Sequence, residues 1–456
     1  MRHLLSFATA CGLCVAAATG SAQPRFSFRV VAANLGSPWE VTIGPDGHLW
    51  VSERTARRVV RIDPTSGVVT AALTIEDSYD PGQSWHEGVM GMALHPELLK
   101  GTGRDHVFVA YTYDADPGPQ LLRRFKVRRY TFSAATKKLT DPVDIIANLP
   151  AYVDHAGGRL TIGPDQKLYL TRGDGGANWV NNPCLPNMAQ DLPDATQVAS
   201  KDWRAYVGKI LRMNLDGSIP ADNPALKGVR SHVYSYGHRN PQGLGFGPTG
   251  LLYSSEHGPS TDDELNLVTA AGNYGWPYVA GYVDDRGYTF ADWSHSSNPP
   301  CSQLTFDEFE TPPSVRRQRE SEWTGTFTPP IRTFFTPDPS YSVKKSGSLT
   351  IAAGGLEVYA VGNGVPGWAP SILQTSLTMG RVYRVPLSAD GRTAVGANDE
   401  IFRAANRYRD IAVSADGLTF YLATDSNGFG QVLDSGGARV NRFANPGSIV
   451  AFTYQR

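Results

Sequence analysis

The sequence predicts an all-β fold, a six-bladed β-propeller whose long loops carry the function. Three observations predict it: strand–turn–strand phrases recur along the chain, no linker divides it, and turn-forming residues are spread along its whole length. The 456 residues include 47 glycines and 32 prolines. Closed all-β folds often exceed the usual domain length, so we expect one propeller domain over residues 23–456.

The recurring phrases join a β-branched or aromatic strand to a second strand through a turn with Pro, Asp or Gly. This order is typical of β-hairpins. Four phrases span residues 41–63, 160–170 with 209–213, 244–253 and 411–422. Two further strand pairs are predicted at 107–112 with 124–132 and at 356–361 with 382–387. Six such units at irregular spacing predict six blades.

The first residues are typical of a secretory signal peptide. A short charged start from Met1 to His3 precedes an apolar run from Leu4 to Ala18, and small residues follow up to Ala22. This order predicts a signal peptide over residues 1–22 and a periplasmic or secreted mature protein. The run is too short and too rich in alanine for a good membrane span, and no other stretch approaches about 18 apolar residues, so we expect no span.

The charge balance excludes partners that need a strong electrostatic field. The chain has 42 lysines and arginines against 43 aspartates and glutamates. A nearly neutral chain has no footprint for nucleic acid or anionic lipid, so small molecules are the expected partners. Only Cys184 and Cys301 lie beyond the predicted signal peptide. They could pair in an oxidising compartment, but the sequence leaves their separation open.

A histidine beside an aspartate marks the first candidate site. Asp154 and His155 are followed by Gly157 and Gly158, just before a predicted strand. Imidazole can take up a proton near neutral pH, a carboxylate can hold its tautomer, and glycine lets a bulky partner approach the backbone. The alternative is a surface hydrogen bond between the two side chains.

Two arginine-containing segments are candidate anion sites. Arg239 and Asn240 follow a glycine and a histidine, and they offer a planar fork for carboxylates or quinone oxygens beside an amide. The alternative there is a turn whose polar groups satisfy one another. Arg407 and Arg409 are two residues apart on a predicted strand, so their side chains point the same way and favour an anion.

Acidic residues around a Gly-Pro turn indicate a cation site. The segment from Glu256 to Glu264 contains four carboxylates and the turn Gly258-Pro259, whose carbonyls are free to bind. Clustered oxygen ligands suit a hard cation such as calcium, although the spacing differs from an EF-hand loop.

With these residues in place, the chain resembles the soluble pyrroloquinoline-quinone (PQQ)-dependent glucose and aldose sugar dehydrogenases, the glucose/sorbosone dehydrogenase family. The resemblance covers essentially the whole chain beyond the predicted signal peptide, from Ser37 to Ile449. It rests on long phrases in the same order, at residues 162–167, 214–220, 237–243 and 272–277.

The resemblance implies roles for individual residues. His155 matches the catalytic base, Asp154 the group that orients it and contacts the cofactor, and Asp174 a polar group that faces the sugar. The implied cofactor contacts are Arg239 and Asn240 to the quinone and Arg407 and Arg409 to its carboxylates.

The resemblance also implies two calcium regions. The main-chain carbonyls of Gly258 and Pro259 match the ligands of the calcium that the cofactor chelates. A second region, associated with dimer formation, matches Glu264, Tyr274, Ala280, Tyr282, Asp284 and Glu320. We therefore expect PQQ- and calcium-dependent oxidation of an aldose at C1 to the lactone, with electrons passed to an external acceptor.

This chain departs from the family pattern at the pocket. Thr378 replaces a lysine that touches the cofactor, and Arg381 or Lys344 could compensate. His86 replaces a glutamine, and Trp179 stands where the family has a sugar-facing glutamine. A tyrosine and a tryptophan beside the sugar align with Lys345 and Ser348, and the disulfide of that loop is absent. The substrate pocket is therefore rebuilt, which favours an aldose or another aldehyde-type alcohol rather than glucose in particular.

Two other functions remain open from the sequence. A propeller that keeps calcium and a pocket but loses the cofactor would be a sugar-binding module, which the missing lysine allows. A lactonase-like hydrolase also uses calcium and a histidine at the propeller axis, but it gives Arg407 and Arg409 no function.

Overall fold

The computed structural model describes residues 25–80, 86–116, 118–428 and 431–456. The predicted signal peptide, residues 1–22, lies outside this range. Six four-stranded antiparallel sheets form the described part of the chain, and they are the blades of a β-propeller, as the repeated phrases predict. No helix in the described ranges is long and apolar enough to cross a membrane.

The first three blades follow the chain after an N-terminal strand, β1 (Phe26–Ala32). Blade 1 has β2 (Pro38–Ile43), β3 (Leu49–Glu53), β4 (Arg58–Ile62) and β5 (Val69–Thr74). Blade 2 has β6 (Val89–Leu94), β7 (His106–Asp114), β8 (Arg123–Ser133) and β9 (Lys138–Pro150). Blade 3 has β10 (Gly157–Ile162), β11 (Lys167–Arg172), β12 (Lys209–Asn214) and, after the hairpin β13 (Ala225–Leu226) and β14 (Val229–Arg230), β15 (Val233–Tyr236).

The other three blades complete the ring. Blade 4 has β16 (Pro241–Phe246), β17 (Leu252–Glu256), β18 (Asp263–Val268) and, after β19 (Phe290–Asp292) and β20 (Arg316–Gln318), β21 (Arg332–Phe334). Blade 5 has β22 (Ala353–Tyr359), β23 (Ser371–Ser376), β24 (Val382–Pro386) and β25 (Asp399–Ile401). Blade 6 has β26 (Tyr408–Val413), β27 (Thr419–Thr424) and, after β28 (Val432–Leu433) and β29 (Arg439–Val440), β30 (Ser448–Tyr454).

Short helices lie only in the connections. The α-helices α1 (Ala195–Ser200) and α2 (Val343–Ser346) and the 3₁₀ turns Arg204–Tyr206, Cys301–Gln303 and Glu320–Glu322 all occur between strands. Asp194 caps α1 by accepting a hydrogen bond from the Gln197 amide. The longest stretches between blade strands run from β11 to β12 and from β18 to β21, so most of the irregular chain lies on blades 3 and 4.

The inner strands β2, β6, β10, β16, β22 and β26 contact one another in a closed ring. Each of them has a register shift near its first residues, where it pairs with the second strand of its blade. A β-bulge turns nearby side chains in a new direction, so all six blades re-aim their residues at the same end of the propeller. Apolar side chains fill the spaces between neighbouring blades, as in the cluster of Phe108, Phe125, Leu168 and Leu211.

The two ends of the described chain meet in blade 6. β1 is the outermost strand of that sheet and pairs with β30 in antiparallel register, with Ser27 opposite Thr453. Backbone hydrogen bonds thus hold the N-terminal strand in the last blade, and the chain continues from β1 directly into the first blade. The sequence phrases did not show it, because β1 lies outside every repeated unit.

One predicted strand pair differs in detail. The segments predicted at 356–361 and 382–387 belong to one blade, but β23 lies between them and pairs with both β22 and β24. The pair predicted at 107–112 and 124–132 is present as β7 and β8.

Candidate active site

The predicted site residues gather at the bulged end of the propeller. In an antiparallel blade, the start of the inner strand and the end of the second strand lie at the same end. His155 precedes β10 and Asp174 follows β11, while Asn240 precedes β16 and Gly258 follows β17. Arg407 directly precedes β26, and Arg409 is its second residue. The ring therefore brings residues from blades 3, 4 and 6 together.

The His155 side chain is buried and held by one carboxylate. Its Nδ1 lies 2.7 Å from Oδ1 of Asp174, and the histidine is 6% exposed. The backbone of His155 has a positive φ of 42°, an uncommon conformation for a residue with a side chain. Its carbonyl lies so close to Gly173 that any Cβ there would collide with it. A glycine at position 173 is thus needed for His155 to reach Asp174.

Asp174 is fully buried and accepts three hydrogen bonds from fixed donors. They are the amide of Gly176 at 2.9 Å, Nε1 of Trp276 at 2.7 Å and Nδ2 of Asn187 at 3.1 Å. Its Oδ1 also faces Nδ1 of His155. In the neutral ring, the tautomer that donates from Nδ1 to this acceptor leaves the lone pair of Nε2 to accept a proton.

Asp154 faces the other side of the histidine. Its Oδ1 accepts the His155 amide at 2.9 Å and lies 3.8 Å from Nε2 of that ring. The same oxygen is 3.0 Å from Nε2 of His86. Burial alone would raise the pKa of Asp154, but the imidazoles of His155 and His86 hold it well below its usual range. The short contact to the His155 ring thus comes from Asp174, whereas Asp154 bridges two imidazoles.

Two buried donors are unused beside the histidine. Nε of Arg239 and Nδ2 of Asn240 have no hydrogen-bond partner within the described part of the chain. Arg239 is otherwise anchored by its amide to Glu256 at 3.1 Å and by Nη1 to the His257 carbonyl at 3.3 Å. An unsatisfied buried donor is costly, so both atoms are suited to a ligand with acceptor oxygens.

Arg407 and Arg409 point the same way, as their spacing predicts, and share Asp425. Nε of Arg409 lies 3.0 Å and Nη2 2.8 Å from its carboxylate, and Nε of Arg407 lies 3.4 Å from it. Burial would raise the pKa of Asp425, but Arg409, Arg407 and Arg54 hold it below its usual value. Three guanidinium groups thus surround the carboxylate of Asp425, and Arg54 also lies 3.9 Å from Asp80.

The Gly-Pro turn after β17 presents two carbonyls. The amide of Gly258 donates to Oδ1 of Asp263 at 3.0 Å, which fixes the turn. In the described ranges, no hydrogen bond is accepted by the carbonyl oxygens of Gly258 and Pro259. Oxygen atoms of this kind are what calcium binds.

The second predicted calcium region is a network of carboxylates and backbone amides. Glu320 accepts the amides of Ala280 at 2.9 Å and Asp284 at 3.2 Å, and Glu264 accepts that of Gly281 at 2.7 Å. Burial raises the pKa of Glu320 to about 7. Tyr274 and Tyr282 are also in this region; Tyr274 is buried, and its hydroxyl donates to the Leu267 carbonyl, whereas Tyr282 is exposed. The described residues contain no group of three or more His, Cys, Asp or Glu side chains arranged to hold a metal.

Thr378, at the position of the missing lysine, and the two residues that could compensate for it all make contacts with other residues. Thr378 donates to the Thr350 carbonyl at 3.0 Å. Arg381 binds Glu400 at 2.5 Å, and Lys344 pairs with Glu310. Lys345 and Ser348, in the rebuilt loop, are exposed.

A disulfide joins the two long connections beside the site. Cys184 and Cys301 are bonded, which decides the pairing that the sequence left open. A cavity of about 380 Å³ lies next to this bridge. We call it the aromatic pocket, because its wall includes Trp179, Trp276, Tyr288, Trp293, Phe306 and Phe309.

Sequence reasoning missed several residues that build the site. Trp276 and Asn187 hold Asp174, and Asp425 and Arg54 belong to the arginine cluster. Trp276 stood in a phrase that supported the resemblance, so its signal was present without a role. Asp425 follows β27 at the bulged end, and the pairing of β27 with β26 in one hairpin places it beside Arg407 and Arg409.

Comparisons with known proteins show which proteins this chain is similar to. A family model described as Glucose / Sorbosone dehydrogenase matches residues 35–308. Quinoprotein glucose dehydrogenase B of Acinetobacter calcoaceticus is 38% identical over 442 residues, which cover 94% of this chain and 91% of that protein. Aldose sugar dehydrogenase YliI of Escherichia coli K12 is 27% identical over 291 residues, 63% of this chain and 71% of that one.

Solved structures share the fold. The PQQ-bound aldose sugar dehydrogenase of Streptomyces coelicolor superimposes with a TM-score of 0.63 at 24% identity, covering 95% of this chain and 99% of that one. The apo-form of the soluble aldose sugar dehydrogenase of Escherichia coli gives a TM-score of 0.64 at 20% identity, covering 94% of this chain and all of that one, 100%. The family match and the 38% identical relative establish that this chain belongs to the glucose/sorbosone dehydrogenase family.

Proposed function

We propose that this protein is a PQQ- and calcium-dependent dehydrogenase that oxidises an aldose at C1 to the lactone and passes the electrons to an external acceptor. Family membership supports the reaction class, and the His155–Asp174 pair supports the chemistry. We propose that the protein acts in the periplasm or outside the cell. The Cys184–Cys301 bridge supports an oxidising compartment.

The observation that carries the proposal is the state of the His155 ring. Because Asp174 holds the proton on Nδ1, Nε2 is the atom that accepts a proton from the anomeric hydroxyl. Asp174 then stabilises the imidazolium that forms, since its carboxylate stays hydrogen-bonded to Nδ1. Asp154 lies on the Nε2 side and adds a second negative charge near the proton.

The residues present fit an anionic quinone. The buried donors of Arg239 and Asn240 would bind its carbonyl oxygens, and Arg407 and Arg409 its carboxylates. The carbonyls of Gly258 and Pro259 would bind the calcium. When bound, the cofactor with its calcium supplies the acceptor for the C1 hydride. The second calcium region around Glu264 and Glu320 stays a prediction.

Reconstitution tests this function. Purified protein mixed with PQQ and calcium should acquire the cofactor's absorbance, and an aldose should bleach it in a single turnover. Thorough chelation and dialysis should remove activity, and added calcium with PQQ should restore it. Activity that survives chelation would contradict the role of calcium.

The same assay separates the two alternatives. A binding module would take up sugar but would not bleach any quinone. A lactonase-like hydrolase would open a lactone without cofactor, which a pH-stat measurement detects.

A further inference from the structure

We infer that Gln242 is a positioning residue of the cofactor site, which fixes the side chains of Asn240 and Arg409 relative to each other and presents the Asn240 amide nitrogen to the site. This inference rests on the proposed function, because Asn240 and Arg409 are the proposed contacts to the quinone oxygens and to the carboxylates. The phrase at residues 237–243 contains Gln242 but gives it no role.

Gln242 connects blade 4 to blade 6, which are not neighbours in the ring. Its side chain is buried, with 3% exposed. Its Oε1 lies 3.1 Å from Nη1 of Arg409, which is 167 residues away in the sequence. Its Nε2 lies 3.0 Å from Oδ1 of Asn240. Both polar atoms of this amide are therefore used by two proposed cofactor contacts.

Two β-bulges aim these side chains at each other. Gln242 is the residue at which β16 shifts its register against β17, and Arg409 is the residue at which β26 shifts its register against β27. An extra residue of this kind has no partner on the neighbouring strand, and its side chain is re-aimed. The carbonyl of Gln242 accepts a hydrogen bond at 2.9 Å from Nε of Arg159, a buried side chain. The Gln242 side chain thus starts from a fixed backbone.

The order of donors and acceptors decides which way each amide faces. A guanidinium group only donates, so Arg409 faces the oxygen of the Gln242 amide. The nitrogen of that amide then faces Asn240 and meets an acceptor, Oδ1. The backbone amide of Gly157 donates to the same Oδ1 at 3.3 Å. These two donors leave Nδ2 of Asn240 on the other side, and Nδ2 is the buried nitrogen that has no partner within the described part of the chain.

This orientation matters for a quinone. A quinone oxygen accepts hydrogen bonds, so Nδ2 of Asn240 can bind it and Oδ1 cannot. Without the bond from Gln242, only the longer bond from Gly157 would hold the Asn240 amide against a half-turn. The guanidinium of Arg409 would keep only its contacts with Asp425. Gln242 therefore acts on the cofactor through these two residues.

Gln242→Met tests this role, because methionine is also unbranched and of similar length but forms neither hydrogen bond. Cofactor affinity is measured by titrating cofactor-free protein with PQQ and calcium, and the single-turnover rate of bleaching by excess aldose is measured at full occupancy. We expect the affinity to fall about two- to tenfold, the effect of losing a neutral hydrogen bond. The rate should fall about tenfold, less than the hundredfold or more expected when a donor to the developing charge is lost outright.

A double variant shows through which residue Gln242 acts. Asn240→Ala removes the amide that Gln242 orients, so adding Gln242→Met to it should slow bleaching by less than about twofold more. Multiplication of the two full effects would overturn the inference, because independent sites give additive free energies. Gln242→Glu keeps an acceptor for Arg409 but, when ionised, has no donor for Asn240, so it should also slow bleaching. It carries the test if Gln242→Met does not fold.

Gln374→Met is the matched control. Gln374 is also a buried glutamine, on β23, and its Nε2 donates to the backbone carbonyls of Gly354 and Thr375, not to Asn240 or Arg409. This variant should lower the midpoint of thermal unfolding and leave the cofactor affinity and the bleaching rate unchanged.

The outcomes keep the two proposals apart. Parental affinity and rate in Gln242→Met, with a parent that binds PQQ and is bleached by an aldose, overturn the role of Gln242 alone. Equal losses in Gln374→Met also overturn it, because they would come from the general stability of the fold. A parent that binds PQQ but is bleached by no aldose overturns the dehydrogenase, and the affinity of Gln242→Met relative to that parent still decides the role of Gln242.

Discussion

At His155, the two ring nitrogens have different surroundings. Nδ1 lies 2.7 Å from the buried carboxylate of Asp174, and Nε2 lies 3.8 Å from Oδ1 of Asp154. A glutamine at this position would keep a polar side chain of similar reach but would not take up a proton at neutral pH.

His155→Gln should therefore slow the chemistry and leave cofactor binding intact. We expect turnover to fall at least about a hundredfold, the lower end of what a positioned general base contributes. The measurement is the single-turnover rate of quinone bleaching by excess aldose, with cofactor occupancy determined separately. A variant that binds its cofactor and reduces it at the parental rate would contradict the role of His155 as the base.

Arg409 has two functions that a single substitution would mix. It stabilises buried Asp425, and it is a predicted anchor of the cofactor. Arg409→Ala should weaken cofactor binding about ten- to a hundredfold, because charge-assisted hydrogen bonds contribute about 1.5–3 kcal/mol each. Arg409→Lys keeps the charge beside Asp425 but loses the fork, so its affinity should be intermediate. Unchanged affinity in both variants, measured by titration, would assign Arg409 to Asp425 alone.

Glu357 lines a second cavity, of about 550 Å³, at the opposite end of the inner strands. Burial, with Asp410 nearby, raises its pKa to about 8 from the usual value of 4.5. A raised carboxyl pKa means that the folded protein binds more protons than the unfolded chain between these two values. This contribution to stability is present below about pH 4.5 and is lost as the pH rises through about 8.

Glu357→Gln should remove this pH dependence. At pH 8.5 we expect the variant to be more stable than the parent by about 1–3 kcal/mol, reduced from the full shift because the cavity admits solvent. Urea unfolding at pH 5 and pH 8.5 measures the difference. The matched control is Glu76→Gln, whose side chain is 83% exposed, and it should show no such change.

At the scale of elements, the blades could be predicted from the sequence and their order in space could not. The hairpin phrases around residues 41–63 and 160–170 appear as strands because alternation and turn residues act locally. The contact of Asp174 with Trp276 joins the connections of two different blades, and the two residues are 102 positions apart. No local pattern encodes such distances. The bulges at the inner strands were also invisible, because they depend on the pairing with the second strand.

One disulfide links the connection between β11 and β12 to the connection between β19 and β20. Cys184 and Cys301 close a loop with a sequence separation of 117 residues. Replacing both cysteines by serine should lower the free energy of unfolding by about 2–5 kcal/mol, since a cross-link restricts the unfolded chain. Urea unfolding measures this loss. A reducing agent should destabilise the parent by the same amount and leave the variant unaffected; equal effects on both would contradict the assignment.

At the scale of the molecule, the ring closes through backbone pairing of the chain ends. β1 covers β30, whose edge would otherwise be free. Deleting residues 25–32 should therefore expose a strand edge and favour association or aggregation. Size-exclusion chromatography and thermal unfolding would show a less stable and less monodisperse protein.

A circular permutant is the matched control for this deletion. Phe26 lies opposite Tyr454, so a short turn can join Arg456 to Arg25. With new ends opened between Asn34 and Ser37, β1 would follow β30 as a hairpin. This variant should be nearly as stable as the parent. A permutant as unstable as the deletion would show that pairing of β1 with β30 does not hold the ring.

The pairing of β1 with β30 also imposes a delay during synthesis, because the two strands are made far apart in time. Ser27 and its partner Thr453 are 426 residues apart. At about 5–20 residues synthesised per second, roughly 20–90 s pass between the appearance of the two strands. Phe28 and Val30, which stay exposed even in the finished sheet, have no partner strand during this interval. Ring closure must therefore wait for the last strand, and the first strand must be kept from pairing with other chains until that strand arrives.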